Sequence, residues 1–331
     1  MHTTRPRWTL IVGAAALLAV LALVAHNWAT IHEAGVLMRA ARPGWLALGV
    51  FAVLAGLVCA GQIYGRVLGL LGYRAPQPWL IAAAMVSTLI SQAIPAGTVG
   101  SYAFLTASLR RRGVPGACVA LLASLELISW IGGMLVLFGF GLAYKLLLLH
   151  ESGAAEVSYP AAVMAVVVAG GCTFAVTRPR VTLHSWASGL AALVGRLARR
   201  SLPVGRIQHI VDELDRNRRL VMERPAEILG LLGLQVGVFA LHATALLMLL
   251  LALGVGAPPL GVLAAYGLAL IVSTFTALPG GGGAVEATLA LSLVAQGVPA
   301  EAALGATILF RLLSFWLLLP LGAVCYRMLT R

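Results

Sequence analysis

Long apolar runs joined by short polar or glycine-rich segments account for most of this chain. A membrane-crossing helix needs roughly 20 consecutive apolar residues. On that measure full spans are predicted at about 8–28, 45–66, 115–145, 157–177, 226–252 and 299–326. Thr30 to Pro43 is different: Ile31, Val36 and Leu37 alternate with His32, Glu33, Arg39 and Arg42, the pattern of an amphipathic helix at the membrane surface. Val204 to Leu220, with Ile207, Ile210, Val211 and Leu214 among Arg and Asp, has the same helical periodicity.

Two apolar stretches, 79–112 and 259–297, do not read as simple spans. Each holds one apolar arm, a break rich in Pro and Gly, and a second arm of about a dozen residues, near 18 Å long and too short to cross the hydrocarbon core. The two stretches repeat each other without a gap. Ile94 to Pro115 reads IPAGTVGSYAFLTASLRRRGVP and Leu278 to Pro299 reads LPGGGGAVEATLALSLVAQGVP. Pro95 matches Pro279, Gly97 matches Gly281, and Leu105, Ser108 and Leu109 match Leu289, Ser292 and Leu293. Gly113-Val114-Pro115 matches Gly297-Val298-Pro299. Interrupted helices at corresponding positions of two halves point to a transporter binding site.

Composition agrees with this pattern and fixes the class. Sixty per cent of the 331 residues are hydrophobic and 10% are charged, against about a quarter charged in soluble domains. Backbone polar groups in hydrocarbon must be paired internally, so the spans are expected to be helices. The alternating short segments of a β-barrel are not seen. Fold class is therefore all-α polytopic membrane protein, with about six full spans and two re-entrant broken-helix hairpins. The net charge of +12 lies between the apolar spans without interleaved aromatic residues, which argues against nucleic acid and for topology and anionic lipid. Cys59, Cys118, Cys172 and Cys325 all sit in apolar sequence without ligand spacing, so no metal or other cofactor is expected. The run from Trp8 to Ala25, after Arg5 and Arg7, reads as a retained signal-anchor helix.

Charge also orders the topology. If both broken regions are hairpins and the N-terminus is cytoplasmic, then Arg66, Arg74, Arg110 to Arg112, the ten arginines of 178–225, Arg327 and Arg331 all face the cytoplasm. The loop with Glu151 and Glu156 then faces outward. Span, hairpin, span would occur at 45–145 and again, inverted, at 226–326. This defines one integral membrane domain over 1–331 with a basic cytoplasmic segment at 178–225, in the cell membrane with both termini inside.

The quoted residues carry a resemblance. Over nearly its whole length the chain resembles the membrane region of lysylphosphatidylglycerol synthases, a family that includes proteins described as flippase-like. Pro279, Gly280, Gly281, Gly283, Glu286, Gly297 and Arg311 occupy the family's pattern of a Pro-Gly-Gly turn, a Gly and a Glu, then a Gly-Val and an Arg in the last span. The first copy departs from it: Gly100 is followed by Ser101, and Phe104 stands where an Arg is common. The sequence stops at Arg331 with no soluble aminoacyl-transfer domain, so the resemblance implies lipid translocation or an accessory role and not an enzyme that transfers lysine.

Glu126 and Arg311 are the first candidate site residues, because each lies inside a long apolar helix and a charge at membrane depth defaults to function. In the repeat register Glu126 corresponds to Phe310, next to Arg311. The two are candidates for a midplane pair that opens during alternating access, or, alternatively, for a static pair that fixes helix register. Glu286, in the first turn of its short helix, suits the helix dipole, and the resemblance implies that it is a candidate proton-coupling group. The two turns would present Ser91, Gln92, Pro95, Gly97, Thr98, Gly100 and Ser101 from one face, and Ser273, Thr274, Thr276, Pro279, Gly280, Gly281 and Gly283 from the other. Helix N-termini there would attract a phosphate or carboxylate headgroup, although glycine can equally serve close packing. Arg110, Arg111 and Arg112 are candidate contacts to anionic lipid. His242, alone in an apolar helix, reads as structural.

Two functions are open on this reading. One is a flippase or transporter for a lipid-linked anionic headgroup, with a phospholipid or polyprenyl phosphate as partner. The other is a non-transporting scaffold for a lipid pathway, such as hopanoid synthesis, or for cell-envelope glycan assembly, with pathway enzymes as partners.

Overall fold

The computed structural model describes residues 36, 39, 41–93, 97–144, 223–275 and 283–330. The expected spans at 8–28 and 157–177, the surface helix at 30–43 apart from its last residues, and nearly all of the basic segment 178–225 lie outside the described residues. Among the described residues there is no β-strand.

The other four expected spans form helices close to their predicted limits. They are α1 (Pro43–Leu70), α4 (Gly116–Tyr144), α5 (Pro225–Ala252) and a composite span from Ala300. The last is α8 (Ala300–Arg311), one π-helical turn (Leu312–Trp316) and α9 (Leu318–Thr330). Each of the four is long and apolar enough to cross a membrane. Between them lie α2 (Gln77–Ala93) with α3 (Gly97–Arg110), and α6 (Pro259–Phe275) with α7 (Ala284–Val294). In both pairs the short arm packs back against the long one. The two arms of each pair are separate helices in contact, as a hairpin requires.

The two halves match in detail. Helices α1 and α5 are both 28 residues long, and α2 and α6 are both 17. Proline opens α1 and α5, where its missing N–H is not needed. Both end in a Schellman cap: Gly72 (φ +80°) and Gly254 (φ +81°) enter the left-handed region, and the next residue's N–H reaches back to Leu68 O and Leu250 O at 2.8 and 3.0 Å. The same cap closes α3 at Gly113 and α7 at Gly297, with Val114 and Val298 each donating at 3.1 Å. This is the structural content of the repeated Gly-Val-Pro.

The centre of the fold is the contact between α1 and α5, which run antiparallel. Arg42 N–H, at the start of α1, donates to Ala252 O at the end of α5 (2.9 Å), while Arg66 near the end of α1 lies against Gly230 near the start of α5. Small residues set the approach. A Cβ on Gly56 would stand 2.9 Å from His242 Cε1. Around this pair each half lends a helix to the other: α6 packs on α4, and α9 packs on α2. Gly141 meets Ala264 in the first contact and Gly322 meets Leu89 in the second.

Candidate functional site

Arg311 is the last residue of α8, and the π turn begins at the next position. Its Nε–H donates to Glu286 Oε1, forming an ion pair between α8 and α7. Its guanidinium also stands 5.9 Å from the ring centroid of Phe315, inside the π turn. Glu286 is the third residue of α7, after Gly283 caps the helix at φ +84°. Its carboxylate therefore meets both the positive helix end and the guanidinium. The pair is not sealed: the Arg311 side chain is 11% exposed and that of Glu286 32%. Glu286 Oε2 has no hydrogen-bond partner.

Glu126 belongs to a different cluster. It lies near the middle of α4, and its Oε1 accepts a hydrogen bond from the Tyr64 hydroxyl of α1 at 2.7 Å. Ser87 of α2 reaches the same hydroxyl. Tyr102 of α3 donates to the Ala123 carbonyl, one turn away, at 3.3 Å. Glu126 Oε2 is closed off from the surface and has no hydrogen-bond partner.

The expected pairing of Glu126 with Arg311 is thus not the arrangement found; each has a separate partner. The reason is angular. Successive helix residues point about 100° apart, so Phe310 and Arg311, adjacent in sequence, face different neighbours. Phe310, the counterpart of Glu126, turns into a ring cluster with His242 (6.2 Å) and Tyr266 (5.8 Å). Arg311 turns toward α7 instead. His242 is structural as read: its Nδ1 lies 2.7 Å from Val238 O and its ring stacks on Tyr266 at 6.1 Å.

The turn residues divide. Gly97 is needed sterically, because a Cβ there would lie 2.4 Å from Ile90 O and 2.5 Å from Ser91 O. Gly100 is looser, with a virtual Cβ 3.2 Å from Ile90 Cγ2. Ser91 donates to Thr88 O in its own helix at 2.8 Å, Gln92 is half-buried, and Ser101 is buried. Pro95, Thr276, Pro279, Gly280, Gly281 and the side chains of Thr98 and Thr274 lie outside the described residues. On the opposite hairpin Ser273 donates to Leu270 O at 2.8 Å. Arg110, Arg111 and Arg112 are exposed at the end of α3, and the Arg112 guanidinium sits 4.4 Å from the centre of the Trp79 ring.

Sequence reasoning missed Tyr64, which is the direct partner of Glu126. The available signal was a hydroxyl-bearing ring in an otherwise apolar helix, where such a group requires a partner. The π turn beside Arg311 gave no signal of its own.

With no strand and four apolar helices of crossing length among the described residues, this is a multi-pass membrane protein. It belongs to the family described as the lysylphosphatidylglycerol synthase TM region, whose model matches residues 10–322. No curated protein matches the chain.

Proposed function

We propose that this protein is a lipid translocase of the cytoplasmic membrane, which moves the anionic headgroup of a phospholipid or polyprenyl phosphate by alternating access. The observation that carries the proposal is the ion pair of Arg311 with Glu286. It sits beside an interrupted hairpin and next to a π turn, and it is partly open. A guanidinium has five N–H donors in a fork that matches phosphate oxygens. In this reading a headgroup phosphate displaces Glu286 from Arg311, and the pair closes again once the lipid has left. A π turn is a frequent mark of functional positions in helices, and here it lies where α8 would bend.

The architecture supports the same reading. The halves 45–145 and 226–326 act as an inverted repeat about an axis through the α1–α5 contact. Antiparallel packing of equivalent helices and the reciprocal contacts of α6 with α4 and α9 with α2 are what such an axis requires. Rocking one half against the other would expose the hairpins alternately, with both termini in the cytoplasm.

The test is a leaflet-access assay in proteoliposomes with headgroup-labelled phosphatidylglycerol, quenched from outside. Wild type should accelerate loss of inner-leaflet signal, and Arg311→Gln should abolish the acceleration at equal reconstitution. No movement of phosphatidylglycerol, phosphatidylethanolamine or a polyprenyl phosphate by wild type would favour the scaffold role instead.

A further inference from the structure

We propose that Glu126 is a proton-carrying site that couples lipid movement to a proton gradient; this rests on the translocase reading above. Glu126 and Glu286 are in opposite states of compensation. Glu286 has Arg311 and a helix N-terminus, so its charge is balanced where it stands. Glu126 has neither. It lies mid-helix, and among the described residues no arginine or lysine acts on it.

The surroundings of Glu126 can be named helix by helix. From α1 comes Tyr64, whose hydroxyl donates to Oε1 at 2.7 Å; the charged group of that helix, Arg66, lies against Gly230. From α3 comes Tyr102, which donates to Ala123 O, while Arg110 is exposed at the helix end. On α5, His242 is turned into the rings of Tyr266 and Phe310, and Glu227 is in the first turn. On α6, Tyr266 belongs to that same ring cluster. Oε1 is thus held by a donor, and Oε2 is enclosed without a partner.

A carboxyl group in such a place is neutralised by a proton at little structural cost. Protonated Glu126 keeps Oε1 as the acceptor for Tyr64 and carries the proton on Oε2. A metal ion is a poorer fit. A hard cation takes several oxygen ligands, and among the described residues no group of three or more His, Cys, Asp or Glu side chains stands together. In each cycle the carboxylate takes one proton from the water on one side and releases it to the other. This moves the coupling role from Glu286, where the family pattern suggested it, to the first half of the molecule.

Two measurements decide it. The first is infrared difference spectroscopy of the full-length protein in lipid, between alkaline and acidic buffer. A protonated-carboxyl C=O band should be present in wild type, lost in Glu126→Gln and retained in Glu286→Gln. Tyr64→Phe should move the band upward, because the C=O loses its donor, and this variant serves if Glu126→Gln does not fold. No such band in wild type, or its loss in Glu286→Gln and not in Glu126→Gln, overturns the assignment. The second is the proteoliposome assay with an imposed pH gradient and clamped membrane potential. Wild-type lipid movement should respond to the gradient, and the response should be lost in Glu126→Gln. Lipid movement that ignores the pH gradient, or follows a sodium gradient, overturns the coupling but leaves translocation standing. If wild type moves no lipid, the translocase reading and the coupling fall together, and the infrared band still decides whether Glu126 holds a proton.

Discussion

The two hairpin halves share one backbone plan and use it for different chemistry. In the second half, short helix α7 is tied to the following span by an ion pair, Glu286 to Arg311. In the first, short helix α3 is tied to its span by a neutral hydrogen bond, Tyr102 to the Ala123 carbonyl at 3.3 Å. Tyr102 and Glu286 are the same position in the repeat. The first half instead places its charge one helix face away, at Glu126, and turns it toward Tyr64 of α1. In the second half that position is Phe310, within the His242 and Tyr266 rings. The two halves thus share their caps and the length of their long arms, while the face of the following span that carries polar groups differs. One half carries an ion pair, the other a carboxyl group held by a tyrosine hydroxyl.

This contrast can be broken most sharply at the ion pair. Removing one member of a buried pair costs about 3–5 kcal/mol when the survivor is sealed in. Because Glu286 is partly exposed, Arg311→Leu should fall at or below the lower end of that range. A double-mutant cycle by denaturation in detergent should show coupling of Arg311 to Glu286 and none to Glu126 beyond about 0.5 kcal/mol. Coupling to Glu126 would return the pair to the arrangement first expected from sequence.

Next in size are the turns. Gly97→Ala drives a Cβ into two backbone carbonyls and should cost about 3 kcal/mol, the upper end for overpacking. Gly100→Ala meets only the tip of Ile90 and should stay within about 1 kcal/mol. Equal losses would mean that Gly97 has no special steric role. The caps test how alike the halves are: Gly72→Ala and Gly254→Ala should each lose about 1–2 kcal/mol, the left-handed penalty for a side chain, and by similar amounts. Smallest is Tyr64→Phe, which removes one hydrogen bond to Glu126 and should cost about 1 kcal/mol if the acid is neutral. A loss of about 3 kcal/mol would signal a carboxylate that had depended on that donor.

Much of this was legible without coordinates. The four described spans follow from apolar runs long enough to cross hydrocarbon, and the internal repeat located the interruptions between the helix arms. Gly113-Val114-Pro115 and Gly297-Val298-Pro299 marked helix ends, because a left-handed cap and the proline after it are local requirements. Glu126 and Arg311 were singled out because charge in an apolar helix is costly wherever the helix packs, and Glu286 because a carboxylate suits the first turn of a helix.

What the sequence did not determine was which charge meets which. Repeat register brought Glu126 beside Arg311 on paper, but a one-residue difference on a helix is a turn of about 100°. Whether that turn leads to α1, α7 or a ring cluster depends on how the helices cross. The crossing is set by packing of small residues such as Gly56 against neighbours far along the chain, here His242. Local pattern fixed the helices and their ends, and tertiary packing decided the partners: Tyr64 for Glu126, and Glu286 for Arg311.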